Sequence, residues 1–411
     1  MSQPTLARRL GTGDAVVVGL SAMLGAGVFA AFAPAAAAAG SGLMIGLGIA
    51  AVIAFCNAVA SAQLASAYPS SGGTYLFGRE VLGPWWGFVA GWGFVVGKTA
   101  SCAAMAMTFG AYAFPDQQWA QRLAALAAVG LLTFANLRGV SKTARVALAL
   151  LILTLATLLL FLVVTAPSAD APASASAHGG PLGVLQSAGL LFFAFAGYAR
   201  IATLAEEVRR PEVLGRAILT ALAVAVTLYL AIGLCLLGVL GNDLATSSMP
   251  LADAARAAGA AWAEPVVRIG AAAASLGALL ALVAGVGRTA LAMARHHDLP
   301  GWLAHVEPRH QVPHHAQMLV GVLVAALVLV ADLRGAIGFS SFGVLLYYAV
   351  ANLSALRQPV AQRRWPRALQ VLGLVGCLVL VATLPWESVV AGIAVLSVGV
   401  VGRLVARRRP R

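Results

Sequence analysis

The reading of the fold turns on "GLSAMLGAGVFAAFAP", residues 19–34. It reads as the middle of a membrane-crossing helix in which Gly25 and Gly27 flank Ala26. Glycine gives up the most backbone freedom on entering a helix, so it loosens the helix there. In hydrocarbon, freed N–H and C=O groups persist only where protein or a wet cavity satisfies them. A second weak point lies in "FFAFAGYARIATLAEEVRRP", residues 192–211, where Gly197 and Tyr198 give way to Arg200. One interruption would be explained by close helix packing. Two in matching positions ask for a different account.

Working outward, the 411 residues are 61% hydrophobic and 10% charged, with a mean hydropathy of +0.90. A soluble chain of this length could not hide that much apolar surface. The excess faces lipid, so the expected fold is an all-α integral membrane protein. Stretches long enough to cross about 30 Å of hydrocarbon fall near residues 13–36, 42–66, 84–112, 119–137, 143–165, 183–207, 213–240, 265–294, 315–331, 335–356, 367–384 and 386–404. They predict about twelve transmembrane helices. The first run is too long for the apolar core of a cleaved leader and is expected to stay.

The net charge of +13 sits in short loops between these spans. It therefore reads as a topology signal and not as a nucleic-acid surface. With the N-terminus inside, Arg8, Arg9, Arg79, the bases from Arg138 to Arg145, Arg209 to Arg216 and Arg357 to Arg367, and the tail "RRRPR" all fall on the cytoplasmic side. Arg122, Arg256, Arg268 and Arg334 fall outside, and Lys98 and Arg200 fall within spans. The expectation is a multi-pass protein of the cell inner (cytoplasmic) membrane with both termini cytoplasmic. Excess arginine and abundant alanine fit a bacterial chain.

The segment "TAPSADAPASASAHGGP", residues 165–181, is rich in Ala, Ser and Pro and reads as an outer connector between two halves. The division is a first five-helix repeat over 13–165, a connector over 166–182, a second five-helix repeat over 183–356, and two further helices over 366–405. The first repeat enters from inside and the second from outside, so the two are inverted. Broken first and sixth spans opening such repeats are the signature of a secondary transporter. The half-helix N-terminus exposed by each break suits a carboxylate, and its unpaired carbonyls suit an ammonium group or a cation. Together they could clamp both ends of a zwitterion.

These residues carry a resemblance. "GAGVF" in the first span, "YPSSGGTYLFGREVLGPWWGFVAGW" (68–92), "FFAFAGYARIATLAEEVRRP" and "LAMARHHDLPGWLAHVEPRHQVP" (291–313) resemble, in order and spacing over nearly the whole chain, the amino acid–polyamine–organocation permeases. The resemblance implies a LeuT-type fold, alternating access, and amino acids or amines as substrates. It also implies that the backbone of Gly25, Ala26 and Gly27 holds the substrate carboxylate. Carbonyls of Ala22, Met23, Phe193 and Ala196 would then take the α-amino group, and Phe193 or Phe195 would form an aromatic lid. Ala194 and Gly197 complete the unwound stretch of the sixth span, and Lys98, Cys102 and Arg200 are further candidates to line the site.

Two positions depart from the family pattern. Ala199 stands where many relatives carry an acidic residue, and Thr154 stands where the cationic-amino-acid branch carries a lysine in the fifth span. Both departures weaken a simple transfer of proton coupling, which stays open, with Lys98 and Thr154 as coupling candidates. None of the 14 acidic residues lies mid-span, whereas Lys98 does. A charge at the bilayer centre needs a partner, a wet cavity or a shifted pKa. Arg200 either snorkels towards the inner surface or borders the site. Two bases without an intramembrane acid would repel a cationic side chain. The expected substrate is therefore a neutral or acidic amino acid, with a cationic amino acid or polyamine as the alternative.

Other patterns carry less. "GWGFVVGKT" (91–99) misses the spacing of a phosphate-binding loop. The four cysteines form no CxxC pair, so no disulfide framework or zinc site is expected. His296, His297, His305, His310, His314 and His315 share a loop whose prolines break any regular ligand spacing, so it reads as a solvated loop ahead of a metal site. The spans hold no catalytic constellation, so no enzyme and no cofactor are expected. The competing class is a transporter-like membrane sensor.

Overall fold

The computed structural model describes residues 11–68, 72–139, 144–169, 177–198 and 212–408. Arg200 lies outside the described residues. Among them the chain is helical, with only isolated bridges such as Gly40 paired to Ala177. Among the described residues nine helical stretches are long and apolar enough to cross a membrane, and three shorter apolar ones accompany them.

The first span is three pieces: α1 (Thr12–Met23), α2 (Ala26–Ala30) and α3 (Phe32–Ala39). After α4 (Leu43–Ala67), the amphipathic α5 (Gly73–Leu82) leads into α6 (Pro84–Ala113). Then come α7 (Gln118–Leu137) and α8 (Ala144–Thr165). His178 is tied back to α3, because its backbone N–H donates to the Ala39 carbonyl. α9 (Gly180–Phe195) follows and stops in a turn at Ala196–Tyr198. The remainder comprises α10 (Glu212–Leu240), the short α11 (Pro250–Ala257), α12 (Glu264–Arg295), α13 (His314–Val330), α14 (Leu333–Arg357), α15 (Arg367–Thr383) and α16 (Trp386–Arg408).

Helices α6 and α14 are the most buried, whereas α7, α8 and α16 carry aliphatic residues on the outside, such as Leu131, Val163 and Val398. Lipid offers no hydrophobic force to pair helices, so close backbone approach does the work. Gly97 backs onto the Ser340 carbonyl and Gly343 onto Gly93, where an added Cβ would lie 3.0 and 2.5 Å from those oxygens. The Ser101 and Ser340 hydroxyls close the crossing at 2.6 Å. This crossing anchors the bundle beside the two breaks.

Candidate functional site

The break in the first span sits where the glycines predicted it. Helix α1 ends at Met23, Leu24 and Gly25 leave helical geometry, and α2 restarts at Ala26. Helix α9 ends after Phe195, with Ala196 closing a tight turn onto the Phe193 carbonyl at 3.4 Å, and residues 199–211 lie outside the described residues. The two breaks touch. An added Cβ on Gly27 would lie 2.6 Å from the Cα of Ala194, and one on Gly197 would lie 2.4 Å from the backbone of Ala22. Gly25 faces Ala278 of α12. Only glycine lets these backbones approach so closely, so the glycines have a packing role as well as a breaking one.

Helix ends leave carbonyls without intrahelical partners, and here side chains take them. The Lys98 Nζ donates to the Ala196 carbonyl at 3.1 Å. The Tyr229 hydroxyl lies 2.7 Å from the Met23 carbonyl and 3.1 Å from that of Ala194. Its single proton is shared between the two breaks. The Tyr112 hydroxyl donates to the Phe29 carbonyl at 3.1 Å. Met23, Phe193 and Ala196, three of the carbonyls that the resemblance offers to a substrate ammonium, therefore have internal donors. Lys98 is itself an ammonium at such a carbonyl.

The structure brings the remaining described candidates to the same place. Ala26 and Cys102 are fully buried in one apolar cluster with Leu279 and Val283 of α12. Phe195 is buried against the Tyr229 ring at 5.1 Å, while Phe193 keeps slight exposure. Thr154 is buried on α8, bonded to the Leu150 carbonyl. It lines a small cavity with Ser21 and Leu24 at the end of α1 and Ala274, Gly277 and Ala278 of α12. Tyr229 was absent from the sequence reading. Its one signal was a phenol inside the aliphatic run "TLYLAIGLCLL".

The amino acid permease family model matches residues 10–401 of the chain. The chain belongs to this family. An uncharacterized transporter of Mycobacterium tuberculosis is 54% identical to the permease, over 98% of this chain and 93% of its own. The branched-chain amino acid permease BcaP of Bacillus subtilis is 26% identical over 97% of this chain and 93% of its own. The chloroplastic cationic amino acid transporter 6 of Arabidopsis thaliana is also 26% identical, over 92% of this chain and 71% of its own. The family and these relatives are transporters and not enzymes.

The permease carries a second polar assembly at another level. Asp298, in the loop after α12, is almost fully buried and pairs with Arg79 of α5 at 2.7 Å and Arg403 of α16 at 2.6 Å. The Tyr75 hydroxyl donates to the same carboxylate at 2.9 Å. Burial, reinforced by the neighbouring Asp298 charge, raises the Tyr75 phenol above its usual range. The Arg403 guanidinium lies over the rings of Trp85 and Phe88, at 4.5 and 4.6 Å, and donates to the Pro84 carbonyl. The permease's loop histidines are spread over separate contacts: His296 against Tyr75, His310 bonded to Glu307, and His305 stacked on His315. Two backbone N–H groups, from His310 and Arg309, donate to Glu307 and lower its pKa. Among the described residues no group of three or more His, Cys, Asp or Glu is arranged to hold a metal ion.

Proposed function

We propose that this chain is a secondary active transporter of neutral or acidic amino acids, a permease or exchanger working by alternating access. Twelve crossings would form two inverted five-helix repeats and two C-terminal helices in the inner membrane, with both termini cytoplasmic. The substrate lies at the two breaks. Its carboxylate meets the N–H groups of Gly25, Ala26 and Gly27, and its ammonium competes for the carbonyls of Ala22, Met23, Phe193 and Ala196. Phe193 closes over it. Arg200 lies outside the described residues, so the charge argument now rests on Lys98.

The observation that carries this reading is the hydrogen bond from Lys98 to Ala196. A fixed ammonium at the break repels a second cation on the substrate side chain and leaves room for a neutral or anionic one. Deprotonation of Lys98 would weaken its hold on that carbonyl, which makes Lys98 the first coupling candidate, with Thr154 beside the α1 end as the second. The branched-chain relative favours the neutral class. The cationic relative favours the second reading, cationic amino acids or polyamines.

The test is uptake into proteoliposomes of labelled leucine, alanine, glutamate, arginine and putrescine, each with and without a proton gradient. It is preceded by a thermal-shift screen, in which a ligand at 100 times its Kd adds about 2.7 kcal/mol. Uptake of neutral or acidic amino acids supports the proposal. Uptake of arginine or putrescine alone selects the second reading. Binding without flux selects the sensor.

A further inference from the structure

A seam of buried amides runs from the sixth-span break towards the loop between α14 and α15. At its inner level, Asn352 of α14 donates to the Asn57 side-chain carbonyl of α4 at 2.6 Å, and the Cys377 thiol of α15 lies 3.4 Å from the same oxygen. Tyr198, just past the end of α9, stacks on Tyr348 at 5.0 Å, and its hydroxyl neighbours Asn57. Six residues on along both α4 and α14, about 9 Å in a helix, Gln63 donates to Gln358 at 2.7 Å. The backbone N–H of Arg364, in the loop, donates back to Gln63 at 3.1 Å. Gln370 of α15 lies one turn from Gly373, which packs against the Asn352 amide. Three helices thus turn their amides to one line.

These amides have more hydrogen-bonding capacity than they can give each other. Asn57, Asn352, Gln358 and Gln370 are all 0–1% exposed. Among the described residues the Oδ1 of Asn352, the Nε2 of Gln358 and both polar ends of Gln370 have no partner. Isolated orphans occur in many proteins, but these are carried by α14 and α15, which pack on each other and on α4. Buried polar groups left in this way are satisfied by ordered water, which needs two to four polar partners.

We infer that the seam between α4, α14 and α15 binds a file of ordered water running from Tyr198 to the 358–366 loop. The water bridges the Asn57–Asn352 level to the Gln63–Gln358 level, with Gln370 between them. It gives the sixth-span break a wet route to that end of the molecule, two residues from the carbonyl that holds Lys98. A hydrated seam is independent of which substrate the permease carries.

Hydroxyl-radical labelling of the full chain in detergent, with X-ray pulses in isotopically labelled water, reads hydration directly. Cys377 and Met293 are both fully buried and intrinsically reactive, but Met293 sits in a hydrophobic cluster with Tyr75 and Phe88. With each rate divided by the same residue's rate in the unfolded chain, the expected result is several-fold faster oxidation of Cys377 than of Met293. Gln370→Leu, at the loop end of the file, should slow Cys377 oxidation and leave Met293 unchanged. Cys377 labelled no faster than Met293 in the wild-type chain overturns the inference. So does Gln370→Leu that leaves Cys377 labelling unchanged.

Discussion

The two breaks and the Asp298 assembly are both points where distant segments are tied, and they are tied by different chemistry. At the breaks, single hydrogen bonds from Lys98 and Tyr229 reach backbone carbonyls. At Asp298, one buried carboxylate holds two guanidiniums and a phenol. A hydrogen bond to a carbonyl nets about 0.5–1.5 kcal/mol because water or a ligand can replace the donor. A buried carboxylate has no such substitute, and stripping it leaves two cations facing each other. The contrast separates joints made to be exchanged from a joint made to stay shut.

The sharpest way to break this comparison is Asp298→Ala. It should cost about 3–5 kcal/mol of stability, read by thermal unfolding in detergent, with Asp298→Ala/Arg403→Met recovering part of the loss. A loss no larger than that of a break-site variant would erase the distinction. Lys98→Met removes a charged donor and should cost about 1.5–3 kcal/mol. Its decisive readout is the pH profile of uptake, which should flatten if Lys98 is the coupling group. Gly27→Ala forces a methyl against the Ala194 backbone and should cost about 1–3 kcal/mol. Flux should fall further than binding, measured by uptake against thermal shift. Tyr229→Phe should cost the least in stability, about 1 kcal/mol. It should raise KM without abolishing transport, because it frees the Met23 and Ala194 carbonyls for water.

The pattern of legibility follows the same divide. The breaks could be read in the sequence because glycine pairs inside apolar runs are a local signal, and Gly25, Gly27 and Gly197 all stand at the contact. Length and hydropathy predicted about twelve spans, and among the described residues nine helices are long and apolar enough to cross a membrane while three are shorter apolar ones. The joints were not, because they are made across the fold: Arg79 and Asp298 are 219 residues apart, and Tyr229 and Met23 are 206 apart. Arg403 stands four residues before the basic tail that counted towards topology, yet its side chain is buried against Trp85 and Phe88. Charge counting assigns such a residue to a side of the membrane and is silent about its partner. The amide seam was equally hidden, since Asn57, Asn352 and Gln370 look like isolated polar residues until three helices align them.

The glycine crossing of α6 and α14 has one more consequence. Backbones in direct contact at Gly93, Gly97 and Gly343 leave no side-chain layer to repack, so the two helices cannot slide past each other without separating. They therefore supply an origin of coordinates within the molecule. A spin label on α14, paired in turn with labels on α1 and on the end of α9, would report displacement of each break alone, free of any shared drift. Because Lys98 rides on α6, its distance to Ala196 is already such a ruler, with one end fixed and the other on the break.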